Sequence, residues 1–79
     1  MGTNVVDLGS LPPGTRAKLI DIVAGRGLRE RLLQMGLVPG TVIEVVQRFG
    51  GIIVIRFRNT TLTVSRGIAK KILVSVESP

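Results

Sequence analysis

The chain has 79 residues, with 11 Lys and Arg against 5 Asp and Glu, and it contains neither Cys nor His. A chain of this length buries only about 60% of its unfolded surface, so we expect one domain over residues 1–79 that uses most large apolar residues in its core. The missing Cys and His exclude a disulfide framework, a thiolate nucleophile and the usual zinc sites. The formal net charge of +6 favours an acidic partner: a nucleic acid, an anionic lipid or an acidic protein surface.

The N-terminal segment MGTNVVDLGS has no basic region followed by an apolar signal core. No apolar run in the chain approaches the roughly 20 residues of a membrane helix. We therefore expect a cytoplasmic protein without membrane insertion.

Two segments resemble each other: LPPGTRAKLIDIV, residues 11–23, and LVPGTVIEVVQRF, residues 37–49. Each reads Leu-x-Pro-Gly-Thr followed by an apolar-rich run. Proline sets φ at the second position of a β-turn and glycine accepts the positive φ of the third, so each Pro-Gly predicts a type II turn that opens a strand. Because only two copies occur, we interpret them as one turn-and-strand device used twice and not as a solenoid.

Residues 26–35 predict an amphipathic helix after the first of these strands. The apolar residues Leu28, Leu32 and Met35 recur at helical spacing, and Leu33 widens the stripe. Arg26 and Glu30 stand four residues apart, so they can pair across one helical turn, while Arg29 and Arg31 point toward solvent or a partner.

The end of this helix is predicted at Gly36, in the C′ position with a left-handed backbone. Leu37 then becomes the C″ residue and Leu32 the C3 residue, the pair whose contact often accompanies a Schellman cap. Pro39 follows and cannot continue the helix.

The second half of the chain predicts further strands. Residues 42–48 form an apolar-rich run, and residues 52–58 are rich in β-branched residues and follow the hairpin signal Gly50-Gly51. Residues 61–65 alternate polar and apolar, and residues 72–76 form the last run. The expected fold is mainly β: a small β-barrel of about five strands, with one inserted α-helix and a short helical turn before the last strand.

No catalytic or metal site is expected. General acid-base catalysis relies mostly on His or on paired carboxylates, and the carboxylates here are scattered: Asp7, Asp21, Glu30, Glu44 and Glu77. Non-haem iron and zinc sites favour imidazole and thiolate ligands, which the chain lacks, and the surrounding positive charge opposes a weak carboxylate site. The sequence therefore predicts no enzyme, no bound cofactor and no metal.

The most specific stretches are Arg31-Leu32-Leu33, Met35-Gly36-Leu37, Pro39-Gly40-Thr41 and Ala69-Lys70-Lys71-Ile72. With them, the sequence from Leu8 to Val76 resembles the family of ferrous iron transport protein A (FeoA). The resemblance implies an SH3-like β-barrel, similar to the C-terminal domain of iron- and manganese-dependent repressors. It also implies a cytosolic accessory protein of prokaryotic Fe(II) uptake. Such a protein would bind and modulate the cytosolic GTPase portion of a membrane permease, and this partner would recruit it to the inner face of the cell membrane.

Arginine makes forked bonds to carboxylates that lysine does not, so we expect the partner surface at the arginines of the helix and the hairpin. They are Arg26, Arg29, Arg31, Arg48, Arg56 and Arg58. The residues expected to serve the turns and the helix cap instead are Leu32, Gly36, Leu37, Pro39, Gly40, Pro13 and Gly14. The alternative interpretation of each arginine is a solvated rim residue that contributes little to binding.

The alternative function is a repressor-like or nucleic-acid-binding barrel, because the positive charge would attract phosphates. Proteins that bind single strands stack bases on aromatic side chains, and this chain has only Phe49 and Phe57. Nucleic acid is therefore the less favoured partner. A homo-oligomer that pairs through an open barrel edge is a further alternative.

Overall fold

The structure, a computed structural model, describes residues 4–76. The elements in chain order are β1 (Val5–Asp7), a short 3-10 helix (Leu8–Ser10), β2 (Arg16–Ile22), α1 (Arg26–Gln34), β3 (Val42–Phe49), β4 (Ile52–Phe57), β5 (Thr60–Ser65), α2 (Arg66–Ala69) and β6 (Ile72–Val76). The strands form one antiparallel six-stranded sheet in the order β1-β6-β2-β3-β4-β5. The mainly β fold, the inserted helix and the helical turn before the last strand are confirmed.

The additional strand is β1, which pairs antiparallel with β6 and places Val6 opposite Val74. Its 3 residues are too few to show the alternation that predicts a strand from sequence. β1 forms because the outer edge of β6 offers backbone partners, so its presence depends on a tertiary contact.

One face of the sheet is buried and forms the core. Inward-facing residues of neighbouring strands lie opposite each other, as Val45 does with Ile55 and Ile53 with Val64. Leu32 of α1 and Leu37 after it add to this cluster. Each side chain of this kind stabilises the fold by about 1.5–3 kcal/mol when fully buried, so the core carries most of the stability.

The two Leu-x-Pro-Gly-Thr segments meet between β2 and β3, where Ala17 lies opposite Ile43. Gly14 N donates to Val45 O at 2.7 Å, and Gly40 N donates to Leu19 O at 2.7 Å. Each of these bonds thus has a counterpart in the other copy, so an approximate two-fold axis relates the copies. The two repeated segments therefore form neighbouring strands, and each strand begins beside the middle of the other.

Both strands contain a β-bulge, and the bulges lie at equivalent positions of the two copies. The register of β2 shifts between Leu19 and Asp21, and that of β3 shifts between Val45 and Gln47. A bulge adds one residue to one strand, so the side chains after it exchange faces. Ile22 is therefore buried although it lies three residues after the buried Leu19.

Candidate protein-binding surface

Arg48 lies after the bulge of β3, opposite the buried Ile53. Its Nη1 donates to the carbonyl oxygen of Gly9 at 2.9 Å and to that of Leu11 at 2.7 Å. These bonds are partly buried and join β3 to the segment that precedes the first Pro-Gly turn. Arg48 therefore has a structural role, and we remove it from the set of arginines offered to a partner.

The change of faces that turns Arg48 inward also turns Phe49 outward. Phe49 lies opposite Ile52 at the β3–β4 hairpin, and the two side chains are 56% and 45% exposed. Phe57, in contrast, is 2% exposed and belongs to the core. Phe49 is thus the phenylalanine that a partner can reach.

The end of α1 has the geometry of a Schellman cap. Gly36 has φ +101°, Leu37 N donates to Leu32 O at 3.1 Å, and Gly36 N donates to Leu33 O at 3.0 Å. Leu32 and Leu37 are both buried. Thr41 Oγ1 donates to Gly36 O at 3.4 Å. The cap holds the end of the helix against the start of β3.

The two Pro-Gly turns have the backbone of type II turns. Gly14 and Gly40 have φ of +90° and +96°. Thr15 N donates to Pro12 O at 3.3 Å, and Thr41 N donates to Val38 O at 3.0 Å. Pro13 and Pro39 therefore occupy the second turn position, where their fixed φ is already suitable.

Arg29 faces the sheet and pairs with a carboxylate of β2. Its Nη2 lies 3.4 Å from Asp21 Oδ1, with side-chain exposures of 43% and 51%. The same Asp21 oxygen accepts a hydrogen bond from Ile22 N at 2.8 Å. The expected pair of Arg26 with Glu30 is absent from residues 4–76, where the salt bridge found is that of Arg29.

Three of the predicted arginines are exposed: Arg31, Arg56 and Arg58. Arg31 is in the last turn of α1, and a Cβ placed on Gly36 would lie 3.5 Å from Cε2 of Phe57. The end of the helix thus contacts the end of β4, immediately before the β4–β5 turn that contains Arg58. We call Arg31, Arg56 and Arg58 the arginine surface.

Met35 belongs to the same surface, since it is 41% exposed at the end of α1. The sequence pattern assigned Met35 to the apolar face of the helix. The helix is only 9 residues long and ends at Gln34, so Met35 lies at the C-cap, where the chain turns away from the helix axis. A combination of arginine with an exposed thioether suits a protein partner, because arginine and Met are enriched at protein interfaces.

Within the described residues, no group of three or more acidic, His or Cys side chains could hold a metal ion. The surface formed by residues 4–76 also contains no pocket. No helix among them is both long and apolar enough to span a membrane.

Comparison with known proteins gives a family for nearly the whole structure. The FeoA domain family matches residues 6–76. A protein named Fe(2+) transport protein A, from Methanocaldococcus jannaschii, is 34% identical over 53 residues, and the match spans 67% of this chain and 65% of the length of that relative. The family match and the sequence relative therefore point to the same family.

Solved structures support the same assignment. A FeoA-like protein from Clostridium acetobutylicum is 30% identical, with a TM-score of 0.86, over 100% of this chain and 93% of that one. FeoA of Stenotrophomonas maltophilia, described as an SH3 domain protein, has a TM-score of 0.78 at 24% identity over 87% and 88% of the two chains. The fold is thus SH3-like, and the chain belongs to the FeoA domain family.

Proposed function

We propose that this protein is a cytoplasmic accessory protein of prokaryotic ferrous iron uptake. In this function it binds the cytosolic GTPase portion of the Fe(II) permease through the arginine surface and modulates the nucleotide cycle of that GTPase. Binding brings the protein to the inner face of the cell membrane. The observation that carries the proposal is the family assignment over residues 6–76, together with the exposure of Arg31, Arg56 and Arg58.

The charge distribution supports a protein partner with an acidic surface. Arg29 and Arg48 make polar contacts with other residues of the chain, whereas Arg31, Arg56 and Arg58 are exposed. Exposed charges around a contact act mainly on the association rate and on the choice of partner. The exposed Met35 supplies apolar contact area at the same place. Arg26 is also exposed, at the start of α1, whereas Arg31 is in the last turn of that helix.

Calorimetric titration of the purified protein with the GTP-binding portion of the permease tests this proposal. We expect binding that weakens as the salt concentration rises, and a change in the rate of GTP hydrolysis or of nucleotide release. Arg31→Glu and Arg58→Glu should each weaken binding by about five- to tenfold through charge reversal at the contact. Lys18→Glu is the control, because Lys18 is exposed on β2, lies opposite the uncharged Val42 and Ser75, and makes the same charge change outside the arginine surface.

Nucleic acid is the second candidate, favoured by the net charge of +6 and by the exposed ring of Phe49. Phosphate contacts without further stacking partners give weak binding with a steep salt dependence. Fluorescence anisotropy with a single-stranded DNA and an RNA, at the salt concentration of the calorimetry, compares the two candidates. Tight binding to either nucleic acid, combined with no heat on addition of the GTPase, would overturn the proposed function.

A further inference from the structure

The two edges of the sheet differ in length. β1 is an edge of 3 residues, whereas β5 is an edge of 6 residues, Thr60–Ser65, and among residues 4–76 it pairs only with β4. Edge strands expose backbone donors and acceptors that can pair with another chain. β5 is thus the longer of the two stretches available for such pairing.

The register identifies which backbone groups of β5 are free. Arg66 N donates to Gly51 O at 2.8 Å, one step beyond the opposed residues Ile52 and Ser65. Hydrogen-bonded and non-bonded pairs alternate along an antiparallel ladder. Thr61 and Thr63 therefore direct their backbone N–H and C=O groups away from β4. No residue between 4 and 76 pairs with these groups.

The side chains of β5 do not protect this edge. Natural proteins block sheet edges with Lys, Pro, bulges or very short strands. The sequence TTLTVS contains no charge and no Pro, and its register with β4 runs without a shift. On the inner face, Leu62 is only partly buried, whereas Val64 is 4% exposed. An apolar residue on an added strand would cover Leu62.

The charged side chains of β4, β5, α2 and the β4–β5 turn are all positive. Residues 52–69 contain Arg56, Arg58 and Arg66 and no Asp or Glu. Arg58 lies in the β4–β5 turn, two residues before β5, and Arg66 immediately follows β5. Arg56, on β4, lies between Thr61 of β5 and Glu44 of β3. An added strand would meet positive charge at both ends, so acidic residues at its ends would complement the site.

We propose that the β5 edge binds an extended acidic segment of a partner protein by β-strand addition. Backbone groups of Thr61 and Thr63 pair with the added strand, its inward apolar residue covers Leu62, and its terminal carboxylates lie against Arg58 and Arg66. A second copy of this chain fits less well, because an antiparallel β5–β5 pair would bring Arg58 of one copy close to Arg66 of the other. The proposal of a strand-binding site depends only on the β5 edge. The identification of the permease as the source of the bound segment rests on the proposed function.

Amide hydrogen exchange of the ¹⁵N-labelled protein tests the site directly. The probe is a synthetic peptide, Asp-Glu-Val-Thr-Val-Thr-Val-Glu-Asp, and its control carries Pro in place of the central Val. With the probe, exchange at the amides of Thr61 and Thr63 should slow, while Leu62 and Val64, already bonded to β4, should change little. The control peptide should have no effect. No protection at millimolar probe, or protection confined to other strands, would overturn the proposal.

Two pairs of variants separate backbone pairing from charge. Thr63→Pro removes a backbone N–H that points away from β4, whereas Thr63→Val keeps that N–H. Thr63→Pro should weaken probe binding about tenfold or more, and Thr63→Val should change it little. Arg58→Glu should weaken it roughly fivefold, and Lys18→Glu, on β2, should not. Circular dichroism verifies the fold of each variant. Should Thr63→Pro not fold, the Arg58 and Lys18 pair still decides, because equal binding by both contradicts the model of the site.

The same variants are then titrated with the GTP-binding portion of the permease. Probe binding at β5 without any GTPase binding overturns the proposed function and leaves the strand site standing. GTPase binding that Thr63→Pro does not weaken, with no probe binding, overturns the strand site and leaves the proposed function standing. Concentration-dependent protection of Thr61 and Thr63 in the protein alone would identify a second copy as the occupant and would also overturn the acidic-segment proposal.

Discussion

The two Leu-x-Pro-Gly-Thr segments form the same turn, but different hydrogen bonds stabilise the residues that precede the turn in each copy. In the second copy, the backbone of α1 caps itself: Leu37 N and Gly36 N bond back to carbonyls of the last helical turn. In the first copy a 3-10 helix of 3 residues, Leu8–Ser10, precedes the turn. A side chain from the other copy, Arg48, bonds the carbonyl groups of Gly9 and Leu11.

This difference follows from the length of each preceding helix. α1 has 9 residues and can present two inner carbonyls to a Schellman cap. The short 3-10 helix bonds Leu11 N back to Leu8 O, which leaves the carbonyls of Gly9 and Leu11 for another donor. A guanidinium with several N–H groups can satisfy two such acceptors from one side chain. Equivalent turns are thus stabilised by local backbone geometry in one copy and by a long-range side chain in the other.

The largest effect is expected at the long-range contact of the first copy. Arg48→Met keeps an unbranched stem but leaves two partly buried carbonyl groups without their donor, so we expect a loss of about 2–3 kcal/mol in the free energy of unfolding. Urea denaturation followed by circular dichroism measures this loss. Arg56→Met, at an exposed position on β4, is the control and should change stability by less than about 0.5 kcal/mol. Equal losses in the two variants would contradict a structural role for Arg48.

The inward orientation of Arg48 could not be predicted from the sequence. Alternation along residues 42–49 favours Phe49 inward and Arg48 outward, as Ile43 and Val45 are inward. The bulge between Val45 and Gln47 reverses this order. Nothing in the local residue pattern identifies the bulge, because it depends on how β3 pairs with β4. The equivalent bulge in β2 turns Ile22 inward and leaves Asp21 exposed for the same reason.

Features set by local chemistry, in contrast, could be predicted. The cap at Gly36 and the turns at Pro13-Gly14 and Pro39-Gly40 depend on residues close together in the chain, and the structure has left-handed backbone at all three glycines. The arginine surface was only partly accessible to sequence reasoning. Arg31 and Arg58 are exposed as expected, but the salt bridge of Arg29 with Asp21 joins residues on two elements, and helical spacing alone favoured Arg26 with Glu30. The free edge of β5 follows from strand order, which the sequence pattern does not give.

The second effect in size concerns the self-contained cap of the second copy. Gly36→Ala places a Cβ on a residue with φ +101°, 3.5 Å from the ring of Phe57. We expect a loss of about 1–2 kcal/mol in unfolding free energy, from the strained backbone. Gly27→Ala is the matched control, since it lies within α1 and its Cβ would meet no atom within 4 Å. That variant should gain about 0.5 kcal/mol from helix propensity. Thermal unfolding of both variants checks the opposite signs, and a common sign would refute the capping argument.

The smallest effect on stability is expected at the salt bridge between Arg29 of α1 and Asp21 of the first copy. Gln47 occupies the equivalent position of the second copy, so this contact has no counterpart there. Both side chains of the pair are about half exposed, and solvent screens their attraction. Arg29→Met should therefore cost only about 0.5 kcal/mol, and the cost should disappear near 1 M salt, where the screening length is about 3 Å. Urea denaturation at low and high salt measures it. The loss of stability in Arg48→Met should persist at high salt, because the groups that Arg48 bonds are partly buried carbonyls. If the two variants instead showed the same salt dependence, Arg29 and Arg48 could not be distinguished as a screened surface pair and a structural side chain.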